Sequence, residues 1–244
     1  MALVLWRPLA AWWGDARGNR ALLRGDRGCA QASFEWALKL EPRWALLHED
    51  LGRALLQTDP PRALREFDLA ACGAACTAEA GDALARMGRL DEAIDRYITA
   101  KAVTRVSDIA LSLSQRGQYK RATALVETLI GKLRDKFLER ADLASAYATL
   151  GKIELEEALA NPAQARELRH AAIAGYASAA RLAPFNEGYL LSYAFAQMQF
   201  GDADAARSAF ERVLKLHPHQ SDAEAALARL SPHDRLKATP SRSP

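Results

Sequence analysis

The chain has 244 residues, of which 50% are hydrophobic and 26% are charged, which is an ordinary composition for a folded chain. Its 33 basic and 30 acidic residues give a net charge of +3. Arginine alternates with Asp and Glu along most of the sequence, which argues against nucleic-acid binding because that function needs a concentrated basic patch. Sustained alternation of apolar and polar residues is missing, so strands are not expected.

The first thirteen residues, MALVLWRPLAAWW, are apolar apart from Arg7 and Pro8. Spanning a bilayer needs about 20 apolar residues, and the segment has no basic stretch ahead of its apolar run, as a secretory signal would. Two interpretations stay open. Residues 1–13 form either a first helix packed on the rest of the chain or a membrane-proximal anchor, for which Trp6, Trp12 and Trp13 suit the headgroup region. The location is therefore either cytoplasmic or membrane-associated.

A short pattern then recurs six times: Ala, an aromatic or apolar residue four positions later, and a small or apolar residue three positions after that. Offsets of four and three place side chains on one face of a helix. The pattern therefore predicts six helices with the same buried face. Its copies are Ala30-Phe34-Ala37, Ala63-Phe67-Ala70, Ala93-Tyr97-Ala100, Ala122-Val126-Leu129, Ala172-Tyr176-Ala179 and Ala206-Phe210-Val213.

A glycine precedes the first Ala by five residues in four copies, and a proline follows three of them. Glycine adopts positive φ after a helix without a clash, and proline ends a helix. Each unit is thus predicted to be a helix, a tight turn and a second helix. The glycines are Gly25, Gly88, Gly117 and Gly201, and the prolines are Pro42, Pro184 and Pro218.

These features resemble the tetratricopeptide repeat, most closely in Gly18–Pro42 and Phe200–Pro218. Small residues stand where the family has them in the first helix of each repeat, although the family's first-helix tryptophan is missing. The resemblance implies an all-α fold, a right-handed α-solenoid of antiparallel helix pairs (a superhelix) with about six degenerate repeats over residues 14–230. The first-helix small residues are Gly18, Gly52, Gly81, Ala110, Ala144 and Ala194.

Successive copies are about one family period apart, except for the wider interval between Ala122 and Ala172. The extra residues read as helical and are interrupted at Asn161-Pro162, a helix cap and a first-turn proline. We therefore expect an elongated helical hairpin over 138–182. Residues 221–230 are expected to form a capping helix, and the polar, proline-containing tail 231–244 to be disordered.

Catalytic motifs are missing from the sequence, so we expect neither an enzyme nor a cofactor or metal site. Cys29, Cys72 and Cys76 are too few for a disulfide framework and are expected to be buried thiols.

The tetratricopeptide resemblance implies a concave groove, lined by the first helices, that binds a partner peptide or helix. Asp15 stands where chaperone-binding members carry a Lys, so we expect no clamp for a C-terminal carboxylate. The apolar end of the groove is the expected main contact, unless Phe195 and Met198 pack under the capping helix. The groove residues are Asn19, Glu49, Arg53, Asp82, Leu111, Ser145, Leu191, Phe195 and Met198.

The sequence thus predicts a scaffold or adaptor for a protein partner whose identity it does not specify. The alternative is a membrane-associated accessory domain of bacterial envelope glycan or secretion machinery, with membrane contact through residues 1–13. LVLWRPLAAWWGDARGN is similar to the junction that follows the last membrane helix in polytopic bacterial glycan ligases. Fold-level resemblance does not choose between these two functions.

Overall fold

A computed structural model of the chain describes residues 6–71, 73–134 and 139–230, which form thirteen α-helices and contain no strand. The all-α class predicted from the sequence is confirmed. The chain divides into two compact units, Met1–Arg105 (unit 1) and Val106–Pro244 (unit 2).

Unit 1 consists of three helix pairs whose second helices carry the repeated pattern on their buried side. Ala30, Phe34 and Ala37 of the first copy are fully buried, and the two later copies are buried in the same way except for the half-buried Ala100. The helices are α1 Trp6–Leu23, α2 Arg27–Leu40, α3 Ala45–Leu55, α4 Pro60–Ala70, α5 Gly73–Arg86 and α6 Leu90–Thr99.

In each helix pair of unit 1, a glycine of the first helix packs against an aromatic ring of the second. A Cβ atom at the glycine position would clash with this ring, so the two helices approach more closely than any larger residue would allow. These contacts join Gly18 to Phe34, Gly52 to Phe67 and Gly81 to Tyr97.

Unit 2 contains the remaining helices, the first of which begins just before the boundary. Its second helices bury Val126, Tyr176 and Phe210 at the aromatic or apolar position of the pattern. The helices are α7 Thr104–Gln115, α8 Tyr119–Arg134, α9 Arg140–Ala160, α10 Ala165–Leu182, α11 Glu187–Phe200, α12 Ala203–Leu216 and α13 Ser221–Leu230.

The long helices α9 and α10 occupy the stretch for which the sequence predicts a hairpin. Gly151 and Gly175 face each other where the two helices meet, because a Cβ on Gly175 would lie 3.2 Å from the Gly151 Cα. The proposed domain limits also include residues 1–5 and the tail 231–244, which lie outside the described residues.

The helix ends follow the local sequence. Asp26 and Asp59 cap α2 and α4 by accepting backbone N–H groups of Cys29 and Arg62 at 2.9 and 3.1 Å. Gly25, Gly88 and Gly117 adopt φ between 72° and 78° in the turns, as predicted. Gly201 is different: its φ is −126°, and its N–H donates to the Gln197 carbonyl instead.

The cysteines depart from expectation. Cys29 is a free, exposed thiol, and Cys76 is buried but disulfide-bonded. The expectation of buried free thiols was therefore wrong for both residues. Cys29 lies in the first turn of α2, where only one side of the helix is covered.

Among the described residues, no helix combines the length and hydrophobicity that crossing a bilayer would require.

Candidate partner-binding site

A network of polar side chains connects the first helices of unit 1. Asn19 of α1 donates to Asp15 on its own helix at 3.0 Å and to Asp50 of α3 at 3.2 Å. Both aspartates are at least nine-tenths buried. The Asn19 amide therefore holds two carboxylates together where α1 meets α3.

Arg53 extends this network from α3 to α5. Its Nη1 donates to Asp50 at 3.2 Å, its Nη2 pairs with Glu49, and its Nε donates to Glu79 of α5 at 2.8 Å. One guanidinium thus pairs with three carboxylates, which fixes its orientation. Three of the predicted groove residues, Asn19, Glu49 and Arg53, are brought together here.

The fourth predicted residue of unit 1, Asp82, lies one turn beyond Glu79 on α5. It accepts a hydrogen bond from the Tyr97 hydroxyl at 2.8 Å and pairs with Arg105. Burial raises the pKa of Tyr97 above its ordinary range, as do the hydrogen bond and the charge of Asp82. Asp82 therefore binds the aromatic ring that closes its own helix pair while keeping part of its carboxylate exposed.

Burial, together with the negative charge of Asp50, raises the pKa of Asp15 to about 6. Like charges held close together in a dry site do not ionise together. Just below neutral pH, Asp15 is therefore close to the pH at which it loses its proton and the pair gains a second negative charge.

The groove residues predicted from the sequence do not include Glu79 and Arg105 of this surface. Glu79 lies three residues before Asp82, which is the position of α5 equivalent to Arg53, so the repeat pattern does not identify it. Arg105 belongs to the start of α7 and carries no periodic signal. Asn19 and Arg53, by contrast, are one family period apart, which is why both could be identified.

The predicted groove residues of unit 2 are less closely connected. Leu111 is half-buried on α7, and the Ser145 carbonyl accepts the Thr149 hydroxyl at 2.9 Å. The Thr149 and Ser107 hydroxyls are also hydrogen-bonded to each other at 3.1 Å, which links α9 to α7. These hydrogen bonds do not connect Ser145 with Leu111.

Leu191, Phe195 and Met198 lie together on α11, half-buried against the core that α11 shares with α12 and α13. The Phe195 ring packs edge-to-face on Phe210, with 5.0 Å between ring centroids. Much of this apolar surface is therefore already covered within unit 2.

Glu49, Cys76 and Glu79 each place one ligand atom within 4.8 Å of the others. The Cys76 sulfur is held in a disulfide and is not a thiolate, which is the form that binds metals. Arg53 already pairs with both glutamates. This group is therefore part of the ion-pair network, and we assign no metal to it.

The comparisons with known proteins agree with this architecture. Residues 187–230, which span α11 to α13, match the family model of the tetratricopeptide repeat. The match is to a single segment of the chain, the last three helices of unit 2. No curated protein sequence matches it. A tetratricopeptide fold is typical of scaffolds that bind protein or peptide partners.

Several solved structures are similar to this chain. One, the APC/C hetero-tetramer Cut9–Hcn1, has 14% identity and a TM-score of 0.46 over 94% of this chain, which spans only 44% of that one. Another, pilF of Pseudomonas aeruginosa, has 22% identity and a TM-score of 0.41 over 91% of this chain and 99% of that one. YrrB, described as a tetratricopeptide protein with an unusual peptide-binding site, has 15% identity and a TM-score of 0.44 over 79% and 96%.

Proposed function

We propose that this chain is a scaffold that binds a partner peptide or helix on the first-helix face of unit 1. The observation that carries the proposal is the charge of that face. Its carboxylates outnumber its guanidinium groups, which favours a partner segment rich in lysine or arginine. The face consists of the carboxylates Asp15, Glu49, Asp50, Glu79 and Asp82, the guanidinium groups of Arg53 and Arg105, and the amide of Asn19.

Glu79 is the centre of this proposal. One of its carboxylate oxygens accepts from Arg53, while the other is buried and has no hydrogen-bond partner among the described residues. A buried acceptor without a partner is costly. The Glu79 side chain is 19% exposed, so a turn of its carboxylate would present this oxygen to a lysine or arginine of the partner, and binding there would gain more than a surface ion pair does.

The apolar residues of unit 2 form a second, weaker part of the proposal. Leu111, Ser145, Leu191, Phe195 and Met198 remain proposed contacts for an apolar partner side chain. Because Phe195 and Met198 already pack inside unit 2, we assign the main contact to unit 1.

The test uses three fluorescent peptides with the same alanine and leucine background, which differ only in carrying lysine, glutamine or glutamate at the variable positions. We expect binding of the lysine peptide alone, weakening as salt is raised. Glu79→Gln should weaken it by about tenfold, which is the effect of losing about 1.4 kcal/mol.

Glu211→Gln is the matched control, because it makes the same chemical change at an exposed position of α12. It should leave peptide affinity unchanged. Equal affinities for the lysine and glutamate peptides, or equal losses in the two variants, would rule out the charged face as the binding site.

A second candidate function is that of a membrane-associated accessory domain, such as those of bacterial envelope glycan or secretion machinery. The observation that favours it is a set of exposed tryptophans on α1, at Trp6, Trp12 and Trp13. Cell fractionation tests it: release of the native protein only by detergent supports membrane association, and recovery without detergent contradicts it.

A further inference from the structure

One side of α1 presents large apolar side chains to solvent. Trp6, Leu9, Trp12 and Trp13 are exposed by 50%, 65%, 60% and 52%. At 3.6 residues per turn these positions share one side of the helix, while Ala11 and Asp15 on the other side are buried. A patch of this kind marks an interaction surface.

The patch continues onto α2 through Trp36, which is 42% exposed. Trp36 meets Trp13 edge-to-face with 6.4 Å between ring centroids. Both rings line an open pocket of about 240 Å³, with Arg17 and Cys29 also on its wall. We refer to Trp6, Leu9, Trp12, Trp13 and Trp36 as the tryptophan face.

Arginines surround the tryptophan face without carboxylate partners. The Arg17 guanidinium lies 5.7 Å from the centre of the Trp13 ring. Asp26 is close by, but its carboxylate accepts the Cys29 N–H as the cap of α2. Within the described ranges none of the following five exposed arginines forms an ion pair: Arg7, Arg17, Arg20, Arg24 and Arg27.

We propose that the tryptophan face docks on an anionic phospholipid bilayer, an inference that rests on the second candidate function. Indole rings favour the headgroup region, where the ring is buried and its N–H stays hydrated. The surrounding guanidinium groups pair with lipid phosphates, and such contacts strengthen with the anionic charge of the membrane.

The charge of the face also argues against a second copy of this chain as its occupant. A symmetric dimer brings the same patch of both subunits together, which would place the arginines of one copy against those of the other. An anionic surface neutralises these charges instead.

Docking of this kind leaves the charged face of unit 1 accessible. Asp15 lies on the side of α1 opposite Trp6 and contacts the α3 network through Asn19. The two faces therefore use different sides of the same helix, and a bilayer-bound chain could still bind a basic partner.

Intrinsic fluorescence of the full chain tests the proposal, because four of its five tryptophans lie on this face. The probes are neutral phosphatidylcholine vesicles and the same vesicles with about one third phosphatidylglycerol. We expect a blue shift and quenching by headgroup-proximal brominated lipid with the anionic vesicles only, reversed by high salt.

Two double variants separate the apolar and charged contributions. Leu9→Ser with Trp12→Ser should reduce vesicle binding at least tenfold, and Arg20→Gln with Arg24→Gln by about thirtyfold, at roughly fivefold per arginine. Their matched controls are Leu159→Ser with Phe185→Ser and Arg212→Gln with Arg229→Gln, all exposed positions of unit 2. These should bind as the unchanged chain does.

Absence of binding to anionic vesicles overturns the proposal, as do equal losses in the control variants. Concentration-dependent self-association that Leu9→Ser with Trp12→Ser abolishes, without vesicle binding, would assign the face to a second copy. Circular dichroism checks that the variants fold, and the brominated-lipid readout needs no substitution. The Leu9 and Trp12 double variant should keep its affinity for the lysine peptide. The vesicle-binding and peptide-binding proposals can therefore fail independently of each other.

Discussion

Gly52 of α3 lies directly against the ring of Phe67 of α4. A Cβ atom on Gly52 would be 2.7 Å from Cε1 of that ring, a separation at which the two helices would have to move apart. The glycine is therefore a requirement of packing, and the ring is fully enclosed because the glycine is there.

Replacing Gly52 with alanine should lower the free energy of unfolding of unit 1 by about 1–3 kcal/mol, because an added methyl group overpacks a filled core. Urea unfolding followed by circular dichroism measures this loss. The gain in helix propensity from glycine to alanine opposes it by up to about 1 kcal/mol.

Gly28→Ala is the matched control in the same unit. Gly28 is exposed in α2, and a Cβ there would approach Asp26 only to an ordinary 3.8 Å. Its substitution should be neutral or slightly stabilising. If the two variants were equally stable, packing against Phe67 would not be the reason for glycine at position 52.

The contact between Gly52 and Phe67 shows what could be predicted from sequence. The small residue and the ring recur at fixed offsets, so the pattern identified both residues and the face they share. The exposed side of α1 could not be predicted in this way. The first two turns of α1 are apolar on nearly every side of the helix. The hydrophobic pattern therefore does not distinguish the buried Ala11 from the exposed Trp12.

The site was predictable only where it follows the repeat. Asn19 and Arg53 occupy equivalent positions of successive repeats and meet in one network. Glu79 lies one turn before the equivalent position on α5, and Arg105 lies outside the pattern, so only the folded helices bring them to the same surface.

Asp15→Asn should change how stability depends on pH. Burial raises the pKa of Asp15 to about 6 in the folded chain, from an ordinary value of 3.8. Between these values the unfolded chain has released the proton that the folded chain keeps, so the free energy of unfolding falls as pH rises through this window. The variant lacks this loss and should be about 1–2 kcal/mol more stable at pH 7.5, with little difference near pH 4.

Urea unfolding of the full chain at several pH values checks this, with Asp108→Asn, an exposed position of α7 in unit 2, as the control. A slope between pH 4 and 6 that persists in Asp15→Asn would show that another group is responsible.

Glu154→Gln should act in the same direction in unit 2 but at higher pH. Burial, together with the charges of Glu127 and Glu157, raises the pKa of Glu154 to about 7. One of its oxygens is also buried without a hydrogen-bond partner among the described residues. Stability contributed by the protonated form is therefore lost as pH rises from about 4.5 to about 7.

We expect the thermal midpoint of Glu154→Gln to exceed that of the unchanged chain at pH 8 and to equal it at pH 4.5. Differential scanning calorimetry at the two pH values makes the comparison. Glu211→Gln on exposed α12 should show no such pH-dependent gain, and the assignment to Glu154 fails if it does.

Phe195→Ala tests whether the apolar surface of α11 belongs to the core or to a partner. The Phe195 ring packs on Phe210, which is fully buried, so truncation leaves a gap beside a core ring. We expect unit 2 to lose about 2–4 kcal/mol of unfolding free energy, at the lower end of values for buried aromatics because Phe195 is only half-buried. Urea unfolding measures the loss.

Phe185→Ala supplies the comparison, since it removes the same side chain from a position that is 80% exposed in the loop after α10. Its effect should stay within about 0.5 kcal/mol. If Phe195→Ala were as mild as Phe185→Ala, the ring of Phe195 would contribute little to the fold and would be free to contact a partner. A large loss instead means that Phe195 holds α11 against α12, and a binding role must then be tested with Phe195→Leu, which keeps most of the apolar contact.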